Sequence, residues 1–236
     1  MKKFIIFFFL NVFLSANEIY VASAAGNAYA LPEIIKSYNK HYPKDKINLI
    51  LASSGKLTAQ IMHGANYDVF LAANMKYPFA LYKKRLTLTK PKIYAKGAIV
   101  LFSRKLLKGG YKDIILNSAS IAIANPKTAP YGKAAVEFLK NTGLYKKIKN
   151  RLVYAETVSA ALNYAIHSTD SGIVAKALLF SPKTKMYKNW IELPHNYNSI
   201  NQGAVLLNKK GLRFYNFLFS KEAKKIFKKY GYNVNE

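Results

Sequence analysis

Short apolar runs alternate with stretches whose apolar residues recur at helical spacing, and this alternation organises the chain from Glu18 onward. Ile19 to Ser23 predicts a strand. A helix follows in which Leu31, Ile34, Ile35 and Tyr38 share one face as far as His41-Tyr42-Pro43. Pro32 falls in the first turn of that helix, where a missing N–H is tolerated. Ile47 to Leu51 predicts a second strand, Leu57, Ile61 and Met62 a helix that stops at Gly64, and Asp68 to Ala72 a third strand. Strand and helix in strict alternation is the signature of an open parallel sheet flanked by helices.

Lys90-Pro91-Lys92 interrupts the rhythm, and Gly97 to Phe102 resumes it with a strongly apolar strand, so the chain is expected to cross into a second unit near Tyr94 to Gly97. That unit has strands at Ile121 to Ala124, Leu152 to Ala155 and Gly172 to Ala175. Its helices run from Gly132 to Lys140, ended by Asn141-Thr142-Gly143, and from Val158 to Ile166, where Thr157 is a good N-cap. Trp190 to Leu193 starts the return crossing. Gly203 to Leu207 and helices at Gly211 to Phe219 and Lys221 to Tyr230 close the chain. The expected α/β architecture is therefore two lobes, residues 17–95 with 196–236 and residues 96–195, each a mixed, mostly parallel sheet flanked by helices. Ligands of open α/β sheets sit at the carboxyl ends of strands, which places the cleft between the lobes.

Composition adds constraints. With 236 residues, 51% of them hydrophobic, the chain is globular rather than disordered. Lys and Arg number 37 against 11 Asp and Glu, a formal charge of +26 that raises nucleic acid or an anionic membrane as partners. The lysines come in scattered pairs such as Lys146-Lys147 and Lys224-Lys225, which favours a solvated basic surface. The aromatics fall at core spacing, as in Phe214, Phe217 and Leu218, so no nucleic-acid partner is expected. Met1-Lys2-Lys3, an apolar run from Phe4 to Phe13 and Leu14-Ser15-Ala16 form a signal-peptide pattern over residues 1–16, with cleavage after about Ala16. The run is too short to span a bilayer, so the expected product is a periplasmic protein not inserted in the membrane. The cysteine count is zero, which leaves no thiol for disulfides or lipid attachment. No coiled-coil pattern demands a partner subunit, and a monomer is expected.

Four strand-to-helix turns carry the candidate chemistry: Ala24-Ala25-Gly26-Asn27, Ser53-Ser54-Gly55, Asn125 to Gly132 and Glu156-Thr157-Val158. Helix starts present unpaired N–H groups and a positive dipole end, and converging starts from two lobes would surround a small dianion with neutral donors. Helix capping alone also explains small polar residues at any one of these turns. Enzyme motifs fail the same inspection. Ser53-Ser54-Gly55-Lys56 matches S-x-x-K without the S-D-N or K-T-G that should follow, and Ile50 and Leu57 spoil a Walker loop. His41, His63, His167 and His195 have no metal-ligand spacing, Glu156 is explained by its helix start, and neither catalysis nor a direct cation ligand is expected.

At these turns the sequence resembles the periplasmic molybdate-binding proteins of ABC transporters. The matching stretches are Ala52 to Ile61, Tyr67 to Asn74, Ala124-Asn125-Pro126 with Ala129 to Ala134, and Ala223 to Gly231. The resemblance implies a type II periplasmic-binding fold that closes on a tetrahedral oxyanion, molybdate or tungstate, with no cofactor, and delivers it to an inner-membrane ABC permease. Carried over by position, it implies Ser54 as a hydroxyl and amide donor and Tyr131 and Val158 as amide donors. Gly26 stands where relatives usually have Ser or Asn, leaving only its amide, with Asn27 as the neighbour that would supply the lost contact. Ala175 replaces a tyrosine that some relatives have after Gly172-Ile173-Val174. The alternative function is a secreted basic interaction or adhesion protein that uses the same fold without the ion.

Overall fold

The structure is a computed structural model that describes residues 17–104 and 109–234; the signal-peptide pattern at 1–16 lies outside the described residues. In chain order the strands are β1 (Asn17–Ala24), β2 (Asp45–Ala52), β3 (Val69–Ala72), β4 (Lys92–Gly97), β5 (Ile99–Ser103), β6 (Ile121–Ala124), β7 (Leu152–Ala155), β8 (Ser171–Ala175), β9 (Trp190–Glu192) and β10 (Ile200–Leu206). The helices are α1 (Ala30–His41), α2 (Ser54–Met62), α3 (Lys76–Lys83), α4 (Tyr111–Asn117), α5 (Pro130–Asn141), α6 (Tyr145–Ile148), α7 (Val158–His167), α8 (Leu212–Phe217) and α9 (Lys221–Lys229).

The strands form two five-stranded sheets of matching design, ordered β2-β1-β3-β10-β4 and β7-β6-β8-β5-β9. In each, the first three strands are parallel and the last two join antiparallel, so both sheets are mixed. The chain passes from one sheet to the other at Ala98 and returns between β9 and β10.

Strand periodicity builds the first lobe's two cores. Successive side chains on a strand face opposite ways. Ile19 and Val21 of β1, Val69 and Leu71 of β3, and Ala204 and Leu206 of β10 therefore share one layer with Leu31, Ile34 and Tyr38 of α1 and with Phe214 and Phe227 of the C-terminal helices. Their neighbours Ala22, Phe70, Ala72 and Val205 face the other way, against Leu57 and Ile61 of α2 and Leu81 of α3. In the second lobe all residues of β5, β6 and β8 are buried, and Phe138, Leu139, Leu162 and Ala165 of α5 and α7 cover them. Gly64 and Gly143, the residues expected to stop α2 and α5, hold φ of 88° and 72°, a left-handed conformation that favours glycine.

Five elements escape the sequence pattern, for identifiable reasons; α6 is a single turn that buries only Ile148. α3 buries only Pro78 and Leu81, too few for a helical stripe. α4 is seven residues with Ile114 and Ile115 buried. β9 is a three-residue edge strand where a crossing was expected. β4 follows the Lys90-Pro91-Lys92 interruption; it lies at a sheet edge, where a preceding proline is tolerated, pairs with β10 across a bulge at Gln202/Gly203, and bridges to Asn233 through Lys96.

The second lobe's helix α5 depends on a glycine because it crosses the end of β6 at very short range. A Cβ on Gly132 would stand 2.0 Å from the carbonyl oxygen of Ala124. Gly132→Ala is expected to lower unfolding stability by about 1–3 kcal/mol or more, measured by urea titration, because backbone cannot yield to overpacking as a side chain can.

Candidate functional site

Four strand ends release the chain toward one gap. β1 runs into a short 3-10 turn at Ala25–Asn27, β2 into α2, and on the other lobe β6 and β7 into the starts of α5 and α7. Ala24, Ala25, Gly26, Ala52, Ser53, Ser54 and Ala73 of one lobe and Ala129, Pro130, Tyr131, Thr157 and Val158 of the other line a single cavity. No charged side chain is among them.

Local chemistry leaves the first amides of these helices free to face that cavity. Ser53 caps α2, its Oγ accepting the Lys56 N–H at 3.4 Å, and Thr157 caps α7, its Oγ1 accepting the Ala160 N–H at 3.1 Å. Each cap takes the third amide and leaves the first, on Ser54 and Val158, without an intrahelical acceptor. In α5 the first residue is Pro130, which has no N–H, so the first donor available is the amide of Tyr131. Ser54 adds a side chain. Its Oγ accepts the Ala73 N–H at 3.0 Å, which occupies one lone pair and leaves the hydroxyl proton to donate.

The lobes touch around the gap. Gly55 N–H donates to the Thr128 carbonyl at 2.9 Å, and the Tyr77 hydroxyl reaches the same oxygen at 3.2 Å. Ser159 Oγ donates to the Ala25 carbonyl at 2.7 Å, and Lys56 pairs with Glu156 at 2.7 Å. That ion pair is more than half exposed on both partners, so it contributes little to closure. The space enclosed is about 10 Å3, room for roughly one water-sized sphere. Seating a four-oxygen anion requires the lobes to part slightly.

The structure thus brings together Gly26, Ser54, Tyr131 and Val158. It does not bring Asn27 with them, which corrects the expectation that this side chain makes up for the missing serine. Asn27 is buried behind the turn, its Nδ2 donating to Ser23 Oγ at 2.9 Å and Tyr94 Oη at 2.8 Å, and its Oδ1 accepting from the Tyr232 hydroxyl at 2.8 Å. All its hydrogen-bonding capacity toward the protein is directed away from the cavity. Position 26 is glycine because the Tyr131 ring covers it: a Cβ there would meet Tyr131 Cε2 at 2.8 Å. Ala175 lies buried in β8 opposite Ile99. Thr128, Ser159 and the Tyr94–Gln202–Tyr232 group were not legible in the sequence, because their partners lie between about 50 and 200 residues away in the chain. Among the described residues no group of three or more His, Cys, Asp or Glu is placed to hold a metal ion.

Two mixed α/β lobes that meet around a cavity of helix starts define a two-lobed binding protein of the periplasmic type. The chain belongs to the bacterial extracellular solute-binding protein family, whose model matches residues 19–233. Membership makes it a solute-binding component of transport rather than an enzyme. It is 31% identical over 233 residues to the molybdate-binding protein ModA of Azotobacter vinelandii, covering 93% of this chain and 91% of that one. Its identity to ModA of Rhodobacter capsulatus is 29% over 228 residues, covering 92% and 89%. The solved structure of the Azotobacter vinelandii periplasmic molybdate-binding protein superposes with a TM-score of 0.86 at 28% identity, covering 92% of this chain and all of that one.

Two outcomes follow from this packing. Gly26→Ser is expected to weaken anion affinity by tenfold or more in calorimetric titration, since its Cβ would displace the Tyr131 ring. Burial pushes the hydroxyls of Tyr94, Tyr131 and Tyr232 well above the ordinary tyrosine range. A group whose folded pKa is raised contributes stability below its unfolded pKa and loses it as pH rises toward the folded value. Urea unfolding should therefore be insensitive to these tyrosines up to about pH 10 and become steeply easier above it. Tyr232→Phe should reduce that slope.

Proposed function

We propose that this protein captures a tetrahedral dianion, molybdate or tungstate, between its lobes and hands it to an inner-membrane ABC permease. The carrying observation is the cavity lined by three helix starts and the 25–27 turn, with Gly26, Ser54, Tyr131 and Val158 drawn from both lobes. Backbone amides, helix dipoles and one hydroxyl supply the binding, each charge-assisted hydrogen bond contributing about 1.5–3 kcal/mol net. Neutral donors suit an ion that must later be released, because no buried counter-charge is left unpaired when it departs.

The same lining gives a basis for selectivity. The oxygens of Ser53, Ser54 and Thr157 already accept backbone amides, and no carboxylate faces the cavity. A protonated oxyanion would bring in a proton for which the lining has no charged acceptor, so phosphate is disfavoured against fully ionised dianions. The formal charge of +26 acts at a distance, raising the encounter rate of dianions without taking part in the bound state. The resemblance to periplasmic molybdate binders and the leader pattern at residues 1–16 support export to the periplasm; a monomeric, cofactor-free receptor is part of the same proposal. A basic interaction protein without ion transport is not favoured, since nothing in that role calls for donors from two lobes around one cavity.

Isothermal titration with molybdate, tungstate, sulfate and phosphate tests the proposal. One molybdate or tungstate per chain is expected, with phosphate giving no heat; absence of heat with both metal oxyanions would remove the assignment. Ser54→Ala should weaken molybdate binding by about ten- to a hundredfold, the loss of one charge-assisted hydrogen bond.

A further inference from the structure

Tyr131 belongs to the second lobe through its backbone and to the first through its side chain. Its amide stands at the start of α5, yet its ring lies in a notch made by two glycines of the first lobe. A Cβ on Gly26 would meet the ring at 2.8 Å, and one on Gly97 would meet the hydroxyl at 2.3 Å. The phenol end is wholly buried there in polar company. Gln202 Nε2, from β10, donates to Tyr131 Oη at 3.0 Å, and Gln202 Oε1 accepts from the Tyr94 hydroxyl at 2.8 Å. The Tyr94 oxygen accepts in turn from Asn27. Tyr232 joins the same group, its hydroxyl 2.8 Å from Asn27 Oδ1 and 2.9 Å from the Gly26 carbonyl. Apart from Tyr131, every member of this network is a residue of β1, β4, β10, the 25–27 turn or the C-terminal segment.

We infer that the Tyr131 hydroxyl is a positioning group that latches the lobes, holding the first turn of α5 against Gly26 so that its amide is aligned before the anion arrives. Drawing α5 away pulls the phenol out of the notch. Gln202 then loses its acceptor in a buried site, whereas the other contacts between lobes around the cavity use backbone carbonyls or exposed side chains that water can satisfy. This places the cost of opening behind the anion rather than in its direct contacts, and it accounts for glycine at positions 26 and 97. The inference rests on the oxyanion reading only for its kinetic consequence; the latch itself is a property of the protein without the ion.

The test uses Tyr131→Phe, which keeps the amide and the ring, and Gln202→Met as a second variant that removes the donor. Because the chain has no cysteine, Lys44→Cys and Lys147→Cys, both exposed and on opposite lobes, take nitroxide labels for pulsed electron-spin distance measurement. Without anion, either variant should shift the distance distribution toward longer separations. With molybdate, dissociation should speed by about tenfold while association stays within about twofold, the pattern of a lost closed-state hydrogen bond. A variant that lowers the unfolding midpoint but leaves the distances unchanged would show the hydroxyl to be filler and overturn the inference. If no oxyanion binds even the wild type, the proposed function fails, and the anion-free distances still decide the latch.

Discussion

Several N–H groups must point into one small space from two separate sheets, and most of this molecule's design answers that constraint. A helix can offer its first amides only if something else satisfies the later ones and the preceding strand aims it. Ser53 and Thr157 provide the first condition, accepting the third amide of α2 and α7, and the parallel strands β1, β2, β6 and β7 provide the second. The sheets are built alike because both must bring strand ends to the same gap. Dipoles so placed stabilise a dianion without burying a cation, which avoids the desolvation that a buried lysine would impose.

Charge is correspondingly divided between two jobs. No lysine or arginine lines the cavity, so the basic excess gives a long-range field while the cavity wall itself is uncharged. Lys36, Lys40, Lys183, Lys225 and Lys229 line an open groove between α1, α9 and residues 181–183, and the ion pair of Lys229 with Glu33 partly neutralises it. Such exposed charges are screened over about 10 Å at moderate salt, so they accelerate encounter and are weak holders of a small ion.

Much of this was legible in the sequence, and the limits have physical causes. Strands such as Ile121–Ala124 and Leu152–Ala155 are bounded as expected because uninterrupted apolar runs between turn residues admit few alternatives. The helix starts at Ser54 and Val158 were identifiable because capping is local. Asn27 was misplaced for the opposite reason: the direction of its amide is set by Tyr94 and Tyr232, 67 and 205 residues away. Gly26 illustrates the same limit. A glycine in that turn looks like a missing side-chain donor until the Tyr131 ring is seen to fill its space. The edge strands β4 and β9 and the short helix α4 carry too few buried residues to leave a periodic trace.

The most direct measurement is anomalous diffraction at the molybdenum or tungsten edge from crystals grown with the oxyanion. A single strong peak is expected between Ser54 and Val158, within hydrogen-bonding reach of their amides and that of Tyr131 through the anion's oxygens. A peak confined to the lysine groove beside α1 and α9, with the space between the lobes empty, would contradict the account.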